Sequence, residues 1–127
     1  MNIRRANEKD IPRLIELLGQ VLQIHADIRP DIFIAGTTKY TNEELLEMIK
    51  DDTNPIYVAA DENDLCVDVL TRGQHIGEAL FEHVKSEAKR LGCYEVTLNV
   101  WAGNTSAEKF YEKMGLKTKE RQMEYIL

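Results

Sequence analysis

A chain of 127 residues is long enough for one domain with a real core and too short for two. Its hydrophobic fraction of 43% and charged fraction of 30% suit a soluble globular protein, and no apolar run approaches the roughly 20 residues that span a bilayer. The net charge of −6 argues against nucleic acid as a partner and favours a cationic, amine-bearing one.

The opening MNIRRANEKD lacks the apolar centre of a signal peptide, and Cys66 and Cys93 are too few for a disulfide scaffold. A reducing cytoplasm is therefore the expected compartment. His25, His75 and His83 have no metal-ligand spacing to cysteines or carboxylates, so no metal is expected.

In chain order, residues 2–6 read as a first strand. Asn7 or Asp10 then caps a helix that carries Ile11, Leu14, Ile15, Leu18, Val21 and Leu22, with Pro12 in its first turn. Residues 25–40 form an irregular link. Thr41 and Glu44 make a capping box for a short helix that buries Leu45, Met48 and Ile49. PIYVAA, 55–60, is a strand, and Asp61, Glu62 and Asp64 sit in a solvated acidic turn. A main helix carries Ile76, Leu80, Val84, Ala88 and Leu91. EVTLNV, 95–100, is a strand by its alternation and β-rich content, and a last strand lies near KERQMEYIL. Between these, Asn104 or Thr105 caps a helix with Ala107, Phe110, Tyr111 and Met114 inward, and Gly115 ends it. The whole is a mixed α/β sheet with helices on its faces, a single domain over 1–127.

The most informative stretch is LCVDVLTRGQHIG, 65–77, a strand that turns through glycine into the main helix. The first helical N–H groups have no internal partner, and the helix dipole places partial positive charge there. Arg72 adds a full charge, so the start of this helix is suited to a pyrophosphate. A dinucleotide fingerprint and a P-loop are both absent. The segment Arg72-Gly73-Gln74-His75-Ile76-Gly77 instead resembles the acyl-coenzyme A turn of the GNAT N-acetyltransferases, R/Q-x-x-G-x-G/A, with His75 where the family has its first glycine. Downstream, Asn104 to Leu116 resembles the family stretch N-x-x-A-x-x-F-Y-x-K-x-G-F, with Leu116 for the last Phe. The two motifs come in the family's order and spacing.

The resemblance implies a GNAT-like fold, mostly antiparallel, and an enzyme that moves an acetyl group from acetyl-CoA to a primary amine by direct transfer. The amine is carried by a small molecule or a protein. The resemblance also assigns roles. The backbone of Leu65, Cys66 and Val67 would pair with the pantetheine arm. Arg72, Gly73, Gln74, His75, Ile76 and Gly77 would hold the pyrophosphate. Asn104, Ala107 and Tyr111 would border the cofactor, with Tyr111 as the general acid that protonates the departing thiolate. His25 and Arg29 lie where such enzymes often build the acceptor pocket.

One departure matters. The family usually has two more strands between PIYVAA and the pyrophosphate turn. Here the first is absent and the second survives only as 65–68, a loss of roughly 15–25 residues. The general base that those strands often supply has no counterpart; Asp68 reads better as a cap on backbone amides. A shortened sheet leaves an open edge, which a homodimer would cover. It also keeps a second reading open, a non-catalytic acyl-CoA-binding module.

Overall fold

The computed structural model describes residues 2–60, the backbone of 65–66, and residues 75–127. A short strand β1, Asn2–Arg5, pairs antiparallel with β2, Tyr57–Ala60, in the register Asn2↔Ala60 to Arg5↔Tyr57. β2 pairs antiparallel on its other edge with β3, Leu65–Cys66, through Ala60↔Leu65 and Ala59↔Cys66. The order β1-β2-β3 makes β2 the central strand.

Successive side chains of a strand point to opposite faces, and β2 uses both. Val58 and Ala60 join Ala6 in a core packed by Leu14 and Leu17 of α1, Ile11–Ile28, by Ile49 of α2, Asn42–Lys50, and by Ile56. On the other face the Tyr57 ring meets His83 of α3, Ile76–Arg90, edge-on at 4.7 Å between centroids. Ala59 is completely buried. Helices therefore cover both faces, as expected. Among the described residues, no helix is long and apolar enough to cross a membrane.

The chain enters α1 through a corner built on one ion pair. Asp10 is 6% exposed. It accepts from the Arg4 guanidinium at 2.7 and 2.9 Å and from the Asn7 N–H at 2.8 Å. Asn7 caps the 3₁₀ turn Glu8–Asp10 by accepting from the Lys9 N–H. Pro12 follows in the first turn of α1, where its missing N–H costs nothing. Hydrogen bonds from Arg4, then the Asn7 N–H, and last the Arg4 charge hold the Asp10 carboxyl below the usual carboxylate range against the cost of burial.

The Thr41 capping box forms as read, with both bonds at 3.1 Å. Leu45 is buried, but Met48 is 36% exposed and Ile49 is half-buried, because α2 touches the core with one turn only. α1 runs on to Ile28, so His25 is helical and the link begins at Arg29. In α3 only Ile76 is buried and Leu91 is 63% exposed. α4, Thr105–Lys113, is capped by Asn104 and ends at Gly115, whose φ of +95° is the left-handed terminator expected there.

Among the described residues, two of the expected strands have no partner. Residues 95–100 and 117–127 belong to no strand and make no backbone hydrogen bond to a described residue. The position of β3 also departs from expectation. In an antiparallel succession, the first of two added strands lies beside β2 and runs against it, and the second runs with it. β3 lies beside β2 and runs against it, so it holds the sheet position of the first of those strands, not the second.

The corner gives a test. Replacing Asp10 with Asn removes the ion pair and leaves Arg4 without its partner, for a loss of about 2–3 kcal/mol at neutral pH. The native carboxyl titrates below its unfolded value. Its stabilisation is therefore complete above that unfolded value, near pH 4, and fades as pH falls further. Thermal melts of wild type and Asp10→Asn should differ most above about pH 5 and converge towards pH 2. A gap that does not change with pH would show that the charge is not what matters.

Candidate functional site

α3 begins without a side-chain cap, whereas α2 and α4 are capped by Thr41 and Asn104. Its N-cap residue, His75, has φ +60° and ψ +22°, and it is the one non-glycine residue with positive φ among those described. This is the position where the resembling turn carries glycine, and the left-handed backbone is the physical reason for glycine there. The His75 ring turns outward, 75% exposed, with Nδ1 at 3.0 Å from Glu78 Oε2. The left-handed turn thus forms despite the substitution.

Ile76 is a core side chain, 4% exposed, so only its backbone is available to a ligand. Gly77 has a packing reason as well. A Cβ built there would lie 3.2 Å from the Phe110 Cζ, so glycine lets the Phe110 ring of α4 close against the first turn of α3. Phe110 in turn meets Tyr111, with ring centroids 5.4 Å apart. The start of α3 and the Tyr111 segment of α4 are brought together by this contact. Sequence spacing gave no sign of it, because the two residues lie 33 positions apart.

Tyr111 is half-buried, and its hydroxyl has no hydrogen-bond partner among the described residues. Asn104 is engaged through its oxygen, which accepts from the Ala107 N–H at 3.4 Å, and this leaves its amide N–H groups for another partner. Ala107 is half-buried and spends its own N–H on that cap. Among the described residues β3, Leu65–Cys66, has no strand on its outer edge. Val67, Arg72, Gly73 and Gln74, with Asp61, Glu62, Asp64 and Asp68, lie outside the described residues. An uncapped helix start, a glycine-like turn and a nearby unpartnered phenol fit an acyl-CoA. Among the described residues no three His, Cys, Asp or Glu gather as a metal site.

Beside this region, His25, Phe33 and Trp101 form an aromatic cluster with centroids 5.1–6.2 Å apart. His25 was legible as a site candidate; Phe33 and Trp101 were not, although the chain's one tryptophan directly after EVTLNV is a signal. Arg29 is engaged in ion pairs with two carboxylates. It binds Asp31 at 2.8 and 2.9 Å and Glu124 at 2.5 Å. Its guanidinium is held firmly charged by Asp31 and then Glu124. An open groove of about 540 Å³ lined by Phe81, Lys85, Cys93, Val96 and Met114 lies further along α3. It sits roughly 13 Å along the helix from Ile76 and is not the place where the candidate groups meet.

The sequence pattern of the GNAT acetyltransferase family matches residues 51–116, more than half of the chain. The peptidyl-lysine N-acetyltransferase YjaB of Salmonella typhimurium is 30% identical over 136 aligned positions, covering 95% of this chain and 86% of that protein. Since 95% of 127 residues is about 121, about 15 of those 136 positions have no residue here, the size of one hairpin. The glucosamine 6-phosphate N-acetyltransferase of Arabidopsis thaliana is 37% identical over 60 residues, 47% of this chain and 38% of that protein. The crystal structure of a mutant of the Bacillus halodurans protein BH1408 superposes with a TM-score of 0.92 at 25% identity, covering 100% of this chain and 99% of that one. The chain belongs to the GNAT family of acetyltransferases.

Proposed function

We propose that this protein transfers an acetyl group from acetyl-CoA directly to a primary amine, in the cytoplasm. The observation that supports this reading is the meeting of the uncapped start of α3 with α4, the helix that carries Tyr111. The relatives named above act on peptidyl-lysine and on glucosamine 6-phosphate, and both acceptors are amines. The acidic surface favours a cationic acceptor.

In this reading the backbone N–H groups of His75 to Gly77, with Arg72, Gly73 and Gln74, receive the pyrophosphate. The outer edge of β3 at Leu65–Cys66, continued by Val67, orients the pantetheine arm, and Asn104 and Ala107 border it. The amine nitrogen attacks the thioester carbon, the C–S bond breaks, and the Tyr111 hydroxyl gives its proton to the sulfur as the amine loses one of its own. No side chain is assigned as the base that takes the amine proton.

Calorimetry with acetyl-CoA, followed by thiol release over a panel of polyamines, amino sugars and lysine peptides, tests the reading. Binding with turnover supports it. Binding without turnover over the whole panel would instead identify an acyl-CoA-binding module.

Four variants sharpen the test. Tyr111→Phe should keep cofactor affinity and lower kcat by roughly ten- to a thousand-fold. Gly73→Glu should weaken acetyl-CoA binding more than about tenfold through bulk and like charge with the fold intact. Gly77→Glu should do the same but also displace Phe110, so the Gly73 variant separates binding from packing. His75→Gly should hold or improve affinity, since it relieves a left-handed residue that costs roughly 1 kcal/mol. A tenfold loss in that variant would show that the imidazole itself holds the cofactor.

A further inference from the structure

On the reading of this protein as an acetyltransferase of amines, some group must take a proton from the attacking nitrogen. Histidine is the side chain that takes and releases protons near neutral pH, and the chain has three. His75 stands at the start of α3, where the pyrophosphate is expected, with Nδ1 on Glu78. His83 lies about two turns further along α3, its ring against Tyr57 of β2. His25 alone meets the segment that leads into α4.

That connection is continuous. The His25 ring centroid lies 6.2 Å from that of Trp101. The Trp101 carbonyl accepts from the Asn104 N–H at 3.0 Å, which closes the turn 101–104, and Asn104 caps α4. Gly103 has φ +99°, and a Cβ built there would lie 3.2 Å from the Ile28 Cγ2. A side chain at 103 is thus disfavoured twice, by the backbone and by α1. The end of α1 that carries His25 is packed through this turn on the cap of α4, the helix that carries Tyr111.

His25 is half-buried, with Phe33 and Trp101 packed on it at 5.2 and 6.2 Å between centroids. Neither ring nitrogen has a hydrogen-bond partner among the described residues. A structural histidine is ordinarily fixed through one of its nitrogens. Here aromatic rings fix the imidazole and leave both nitrogens open to water or substrate. The charges around it are engaged with one another. One turn away on α1 only Arg29 is charged, and it binds Asp31 of the following loop and Glu124 of the terminal segment. The turn 101–104 carries no charge.

We propose that the neutral His25 imidazole is the base of the transfer. One ring nitrogen takes a proton from the amine as the amine nitrogen bonds to the thioester carbon. The C–S bond breaks, and the sulfur takes the Tyr111 proton. The imidazolium and phenolate that remain are reset by proton exchange with solvent. Base and acid thus come from two helices, α1 and α4, joined by the turn that Gly103 permits.

Kinetics and fluorescence on the intact chain test this, with acetyl-CoA and the best amine of the panel. Trp101 is the single tryptophan, so its fluorescence against pH reports protonation of the neighbouring His25. In wild type, kcat/KM should fall on the acid side where that fluorescence titrates. His25→Gln should lower kcat about a hundredfold or more, leave acetyl-CoA affinity unchanged, and abolish both the acid limb and the fluorescence titration. Added imidazole should restore part of the lost rate to His25→Ala. Glu108→Gln, which alters the half-buried acid three positions before Tyr111 on α4, should keep the limb. A His25→Gln enzyme with wild-type kcat and its acid limb overturns the proposal, as does a limb lost in Glu108→Gln instead. If His25→Gln does not fold, a wild-type acid limb that does not coincide with the Trp101 titration overturns it. Wild type that binds acetyl-CoA and acetylates no amine overturns the acetyltransfer reading itself, a result distinct from a loss confined to the His25 variants.

Discussion

An extended backbone must find partners for its N–H and C=O groups, and among the described residues β2 is the strand with a neighbour on each edge. The strength of the fold is therefore concentrated at β2, where Val58, Ala59 and Ala60 are all nearly or wholly buried. Three small side chains in a row let helices approach closely on both faces, at the cost of a thin core. The corner at Asp10 and the caps at Thr41 and Asn104 matter more here than they would in a domain with a thick sheet.

The placement of the site follows from that centre. The alternation of β2 assigns α1 and α2 to one face and α3 to the other. Tyr57 holds α3 at His83, and Gly77 at its first turn admits Phe110. α4 is thereby fixed against the start of α3, and Tyr111 follows Phe110 in the chain. None of these contacts is itself chemical. Together they hold the uncapped start of α3 against the helix that carries the Tyr111 phenol, the arrangement on which the proposed function rests.

Local rules were legible in the sequence, and non-local ones were not. The capping box Thr41–Glu44, the Asn104 cap and the Gly115 terminator each involve residues three or four apart, and each formed where it was read. The same holds for the two family motifs, whose order and spacing identified the fold. EVTLNV and KERQMEYIL were read as strands from β propensity. That propensity describes a side-chain surface and does not supply the neighbouring strand. The exposure of Met48 depends on the angle at which α2 meets the core, which no pattern within the helix encodes. His75 shows both sides of this. Its departure from glycine is visible in the sequence, but its φ of +60° is visible only in the structure.

Arg29 links the two halves of the molecule. It closes α1, binds Asp31 in the following loop, and binds Glu124 in the terminal segment. The aromatic cluster of His25, Phe33 and Trp101 is built on the same end of α1 and the same loop. A single guanidinium thus ties the end of α1 and its following loop to the terminal segment. Whatever orders the terminal segment steadies Glu124, hence Arg29, and hence the loop that carries Phe33. Exposed ion pairs contribute little to stability one by one. Their use here is geometric, since a planar fork with two carboxylates fixes directions that a thin core cannot.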